Sequence, residues 1–118
     1  MKYLLLHILF LILAFPLCAQ ELESASWNTG EENTIIETYQ KDGMWFGRIL
    51  SSDSPEAKIG KDILQGFKFE DGEWKGKLFA AKKGKLLNAV MAPNDSELKI
   101  TVSAGMFKRK VSWEKVDP

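Results

Sequence analysis

Residues 63–80 read "ILQGFKFEDGEWKGKLFA", two segments of strand length on either side of an Asp-Gly pair. Asp71-Gly72 accepts positive φ at both central positions of a type I′ turn, the connection that joins adjacent antiparallel strands. After it, Trp74, Gly76, Leu78 and Ala80 share one parity, while Glu73, Lys75, Lys77 and Phe79 share the other. Before it, Ile63, Gln65, Phe67 and Phe69 go together. A period of two with one mostly apolar face marks strands that cover a core on one side. The stretch is a β-hairpin.

The same punctuation continues outward. Asp42-Gly43 in "YQKDGMW" is a second Asp-Gly pair, again followed closely by Trp, and turn signals recur at Gly84 in "KKGK", at "PNDS" from Pro93 and at "SAG" ending on Gly105. Near-even spacing of such signals predicts consecutive antiparallel strands joined by tight turns. The reading is eight strands, near 26–29, 34–40, 44–52, 62–70, 73–80, 85–91, 97–103 and 107–115. The one long connection, Ser52 to Gly60, carries Ser-Pro-Glu-Ala, which suits a single helical turn. In "ELKITVSA" Leu98, Ile100, Val102 and Ala104 oppose Glu97, Lys99, Thr101 and Ser103. In "MWFGRIL" alternation fails, because Trp45 and Ile49 share one parity and Met44, Phe46 and Leu50 the other. That strand is either covered on both sides, by the N-terminal segment or the 52–60 loop, or it bears an exposed aromatic patch. Gly47 in its middle suits a bend or a close backbone approach.

Eight meandering strands close most economically into an up-and-down barrel, which removes unpaired edges; a half-open, strongly bent sheet is the alternative. The expected fold is all-β, one antiparallel barrel over residues 20–118. Eight strands enclose an interior that side chains just fill or that holds one small ligand.

Residues 1–19, "MKYLLLHILFLILAFPLCA", combine Lys2, an apolar run and Ala19, the pattern of a secretory signal peptide cleaved after Ala19. The run is shorter than the roughly 20 residues of a membrane span. A lipoprotein with Cys18 acylated is the rival, disfavoured by Leu17 before the cysteine. Cleavage would remove His7 and Cys18, the only His and Cys, and with them Cys/His metal sites, disulfides and His-based catalytic sets. No cofactor or metal is expected. The destination is then secreted or periplasmic.

The remaining 118 − 19 = 99 residues suit a single domain. Their charge is 15 − 16 = −1, but residues 20–74 hold five basic against twelve acidic residues, and residues 75–118 ten against four. Such a split serves either a partner surface or complementarity between neighbouring strands.

The order of motifs resembles a family of small secreted bacterial proteins known as domain of unknown function 2147. The resemblance runs from "ASWNTGEENTIIETYQKDGMWFGRI" through "ILQGFKFEDGEWKGKLF" to Gly84-Lys85, "LKI" at Leu98 and a closing Arg-x-x-x-Trp at Arg109 and Trp113. It implies a lipocalin-like barrel and no assigned activity. This chain departs from the family at Gly76-Lys77, Ala80-Ala81, Leu87 and "TVSAG" over 101–105. The resemblance also implies closure of one barrel end by Trp27 and Arg109, with Trp113 beside them.

Two functions follow from the residues. In one, the barrel binds a small apolar or amphipathic ligand, lined by Trp45, Phe46, Phe67, Phe69 and Trp74, with Arg48 at the rim as a carboxylate or phosphate clamp. In the other, the interior is filled and the exterior engages a cell-envelope protein or an anionic surface, using Lys82, Lys83, Lys85, Lys108 and Lys110. Nucleic acid is not expected from two arginines and no recognised motif. An enzyme is not expected either. Ser112 and Lys115 match Ser-x-x-Lys, but residues i and i+3 of a strand point to opposite faces, and the acids cluster at turns.

Overall fold

A computed structural model describes residues 22–81 and 83–116. Lys82 and the whole proposed targeting segment, with His7, Cys18 and Ala19, lie outside the described residues. The strands are β1 (Ala25–Asn28), β2 (Ile35–Lys41), β3 (Met44–Ser51), β4 (Asp62–Glu70), β5 (Glu73–Ala80), β6 (Lys85–Pro93), β7 (Glu97–Ala104) and β8 (Phe107–Lys115). Each pairs antiparallel with the next, and β1 pairs with β8, so the sheet is a closed up-and-down barrel.

The turns dictate the register. Asp42 and Gly43 have φ of 54° and 78°, and Asp71 and Gly72 have 52° and 79°, the positive pairs of type I′ hairpins. Two-residue turns then fix Lys41 opposite Met44 and Glu70 opposite Glu73. The 52–61 connection contains no helix. Ala57 N–H bonds Ser54 C=O at 3.2 Å in an isolated turn, and Ala57 packs against the core.

Alternation breaks once in the opening hairpin. Gln65 pairs with Lys77 and Lys68 with Lys75, so Gly66 and Phe67 together oppose the single residue Gly76. This is a β-bulge, and Gly66, at φ 63°, takes its left-handed position. The extra residue resets the parity of β4, so Leu64 and Phe67 enter the core and Gln65 does not share the face of Phe67 and Phe69. Gln65 instead turns its amide to the Asp62 carbonyl.

The core is one cluster that includes Trp27, Ile36, Trp45, Ile49, Leu64, Phe67, Met91, Leu98, Ile100 and Trp113. Burying a side chain of this size contributes about 1.5–3 kcal/mol. The loops over 29–34 and 52–61 and the hairpin ends at 81–84 and 105–106 lie at one end of the barrel. The turns at 42–43, 71–72 and 94–96 lie at the other, together with the segment leading into β1.

Candidate functional site

The strand with two apolar faces resolves into an inside and an outside. Trp45, Gly47 and Ile49 face in and are buried; Met44, Phe46 and Arg48 face out. Of the six residues expected to line a ligand, Trp45 and Phe67 therefore stand within the core, paired in register. Phe69 and Trp74 meet edge to face at 5.1 Å at the mouth nearer the 71–72 turn. Phe46 and Arg48 are on the exterior, away from any interior cavity.

Inside, the glycines do not leave room. A Cβ at position 76 would fall 2.6 Å from two ring carbons of Phe67, and one at position 47 would fall 2.8 Å from Leu64 Cδ1. The volume that these glycines vacate is thus occupied by neighbouring side chains, at the close packing normal for protein interiors. The interior polar groups are also spoken for. The Trp27 indole donates to Thr38 Oγ1 at 3.0 Å, and that hydroxyl donates to the Glu23 carbonyl at 2.7 Å. Among the described residues no buried side-chain nitrogen or oxygen lacks a partner. Among the described residues nothing polar points inward at a site where a ligand would be needed to satisfy it.

Two of the hollows among the described residues open from the surface. One of about 330 Å³ sits at the Phe69 and Trp74 mouth, lined also by Met91, which pairs with Trp74, and by Pro93. The other, of about 430 Å³, lies outside β6 to β8 between Lys99, Thr101, Lys110 and Ser112.

On the outer face of β2 to β4, register alone brings a polar and aromatic cluster together. Glu37 lies opposite Arg48, Tyr39 opposite Phe46, and Arg48 opposite Asp62. Arg48 Nε donates to Glu37 Oε1 at 2.9 Å, with Nη2 2.8 Å from the same oxygen, and the guanidinium stands 4.7 Å from the Tyr39 ring centre. The Tyr39 ring stacks on Phe46 at 5.7 Å, and its hydroxyl donates to Asp62 at 2.6 Å. Partial burial, the hydrogen bond to Asp62 and the Asp62 charge push the phenol above its ordinary pKa, while Arg48 pulls the other way. The Arg48 guanidinium is held above its own ordinary value by the hydrogen bond to Glu37 and then by that carboxylate's charge. A guanidinium already satisfied by a carboxylate is a clasp across strands, not an open anion clamp.

Arg109 is not brought to Trp27. Trp27 pairs with Lys115, and Arg109 lies six residues back along β8, roughly 20 Å away at strand rise. Trp27 and Trp113, both buried, stand near the β1–β8 seam, which Glu23 and Lys115 span as an ion pair. Arg109 is exposed, in the part of β8 that the β1 register does not reach. The Ser112 and Lys115 pattern is divided between two carboxylates: Ser112 donates to Glu97 and Lys115 pairs with Glu23. Among the described residues no three His, Cys, Asp or Glu side chains converge as metal ligands.

The end of the barrel at 81–84 and 105–106 carries Lys83, Lys85, Lys108, Arg109 and Lys110, all exposed, around the bare side chains of Leu86, Met106 and Phe107. Sequence reading found the lysines and missed both the apolar tip and the Tyr39 cluster. The Tyr39 and Phe46 pairing was available from the Asp42-Gly43 turn, since a two-residue turn fixes every pair above it.

No protein-family model, curated protein or solved structure matches the chain.

Proposed function

We propose that this chain is a secreted or periplasmic, non-enzymatic β-barrel with a filled interior, acting through its exterior as an interaction module of the cell envelope. The observation that carries the reading is the pair of occupied glycine positions, 76 under the Phe67 ring and 47 under Leu64. An eight-stranded barrel is at the size limit where side chains alone can fill it. Export rests on the 1–19 pattern of Lys2, apolar run and Ala19, and kinship with domain of unknown function 2147 on the order of motifs from Trp27 to Trp113.

A second reading has a specific observation in its favour. The mouth formed by Phe69, Trp74, Met91 and Pro93 is apolar, and its volume of about 330 Å³ reaches the lower end of small-ligand sites. A native mass spectrum of detergent-free protein from its own host separates the two. The filled-barrel reading expects the mass of the chain alone; a reproducible adduct lost on Trp74→Ala would replace it with the ligand-binding one.

A further inference from the structure

We infer that the two neighbouring hairpins β5–β6 and β7–β8 dock on an anionic phospholipid bilayer. Met106 and Phe107 enter the interface, and the surrounding cations meet the head groups. This rests on the reading of the barrel as a module that works from its outside.

The hairpin tip exposes what a folded chain normally hides. Met106 is 95% exposed, Phe107 80% and Leu86 46%. Met106 and Phe107 are consecutive at the β7–β8 turn, Phe107 opposite Ala104 on the inward parity, while Leu86 stands on the outward parity of β6 near the same end. Adjacent apolar side chains that project from a turn mark an interaction site, while apolar residues scattered singly over a surface do not.

Charge says what the partner is. No acidic residue occurs between Glu73 and Asp95 or between Glu97 and Glu114, while these two intervals hold nine Lys and Arg. Lys83, Lys85, Lys108, Arg109 and Lys110 flank the tips, and none is paired with a carboxylate among the described residues. The turn at 71–72 and the connection at 94–96, at the opposite end, instead carry Asp71 and Asp95. The molecule therefore presents, at the β5–β6 and β7–β8 hairpins, one half of an end that is both apolar and cationic, while the loops over 29–34 and 52–61 on the β1–β4 half of that end carry the exposed Glu31, Glu32, Asp53 and Glu56. Apolar insertion and basic attraction reinforce each other at a lipid interface, where either alone gives only marginal attachment.

An acidic peptide is the competing partner. From Phe107 to Trp113 no described strand pairs with the side of β8 away from β7. Lys115 N–H points to Ser96 and Val116 N–H to Ser26. By alternation, the backbone groups of Lys108, Lys110 and Ser112 face that vacant side. A strand added there would satisfy them. It would still leave Met106 bare on the turn and Leu86 bare on β6, two strands away. A bilayer covers Met106 and Phe107 on the turn together with the cations beside them, and lysines along an exposed edge are already a common guard against strand addition.

The test is co-sedimentation of the full chain with phosphatidylcholine vesicles, with and without phosphatidylglycerol. Phosphatidylglycerol should raise the bound fraction, and added salt should lower it. Met106→Ser with Phe107→Ser, and separately Lys108→Glu with Lys110→Glu, should each reduce that gain on the order of tenfold. Thermal melting of both variants should match the parent, which keeps a folding defect apart from a binding one. The apolar segment at 1–19 is common to all forms, so whatever it contributes cancels. Indifference to phosphatidylglycerol, or a gain that survives both pairs of substitutions, overturns the inference. So does a glutamate-rich peptide that binds as well after Met106→Ser and Phe107→Ser while the vesicle effect is absent. Vesicle failure with an adduct-free mass spectrum leaves the filled barrel standing; an adduct with intact vesicle binding does the reverse.

Discussion

The chain has two arginines, one in β3 and one in β8, and their surroundings share little. Arg48 has a paired strand on each side, a carboxylate within hydrogen-bonding distance and an aromatic ring beneath it. Among the described residues, Arg109 has a partner strand on one side only, beside an exposed hairpin tip. The difference comes from the lengths of the neighbours. Both neighbours of β3 run at least seven residues, whereas β1 has four and leaves most of β8 without a second partner. The same residue type is therefore spent on cohesion in one place and left for an outside partner in the other.

If β3 belongs to a sealed wall, the space behind it must be intolerant of change. Phe67→Ala should cost about 3–5 kcal/mol in urea unfolding, the largest effect expected here. Gly76→Ala should cost about 1–3 kcal/mol, because the added methyl meets a buried ring that cannot swing away. Gly47→Ala should cost less, since its nearest neighbour is the flexible end of Leu64. The decisive form is the double substitution. With Phe67 already truncated, Gly76→Ala should cost nothing or be favourable, a coupling that only direct contact produces. Simple additivity would mean that the interior has slack, and the ligand-binding reading would regain ground.

Most of this architecture could be read from the chain, and the failures are those of pairing rather than of local punctuation. Strand bounds were right to within two residues because the punctuation is local: Asp-Gly pairs, Gly84, Pro93 and Gly105 each act on their own few bonds. The bulge at Gly66 was misread because alternation was carried straight through it. An isolated glycine inside a strand pattern was the available warning. Gly47 suits a bend or a close backbone approach by its place in the strand, but that place does not say what approaches. Whether a glycine opens a cavity or admits a neighbour depends on the strand beside it, and the neighbours' inward faces follow only from correct registers across the bulge. Arg109 failed for a longer-range reason still. Its distance from Trp27 depends on the pairing of the first strand with the last, which no local signal encodes.

The outer face of the wall gives a smaller, pH-dependent effect. Tyr39→Phe removes the hydrogen bond to Asp62 and should cost up to about 1 kcal/mol near neutrality, reduced because the ring is half-exposed. The folded phenol has a raised pKa, so the native state holds this proton more tightly than the unfolded chain does. Its contribution is complete below the ordinary tyrosine pKa and is lost as pH rises through the folded value. Melting followed upward through the alkaline range should therefore fall more steeply in the parent than in Tyr39→Phe. Parallel profiles would mean that the clasp is merely surface decoration.

At the other pole of the comparison, the expected effect on stability is nearly nil. Met106→Ser with Phe107→Ser should leave the melting free energy within about 0.5 kcal/mol, because side chains that are 95% and 80% exposed lose almost no buried contact. Near-zero is informative here. A tip that contributed to the fold would be part of the barrel, and its apolar character would then need no further explanation. A tip that the fold does not need, yet which keeps two large apolar side chains in water amid unpaired cations, carries a cost in solubility with no return inside the molecule. A marked loss of stability would show that Met106 or Phe107 packs back onto the barrel mouth, and the contrast between Arg48 and Arg109 would reduce to one of degree.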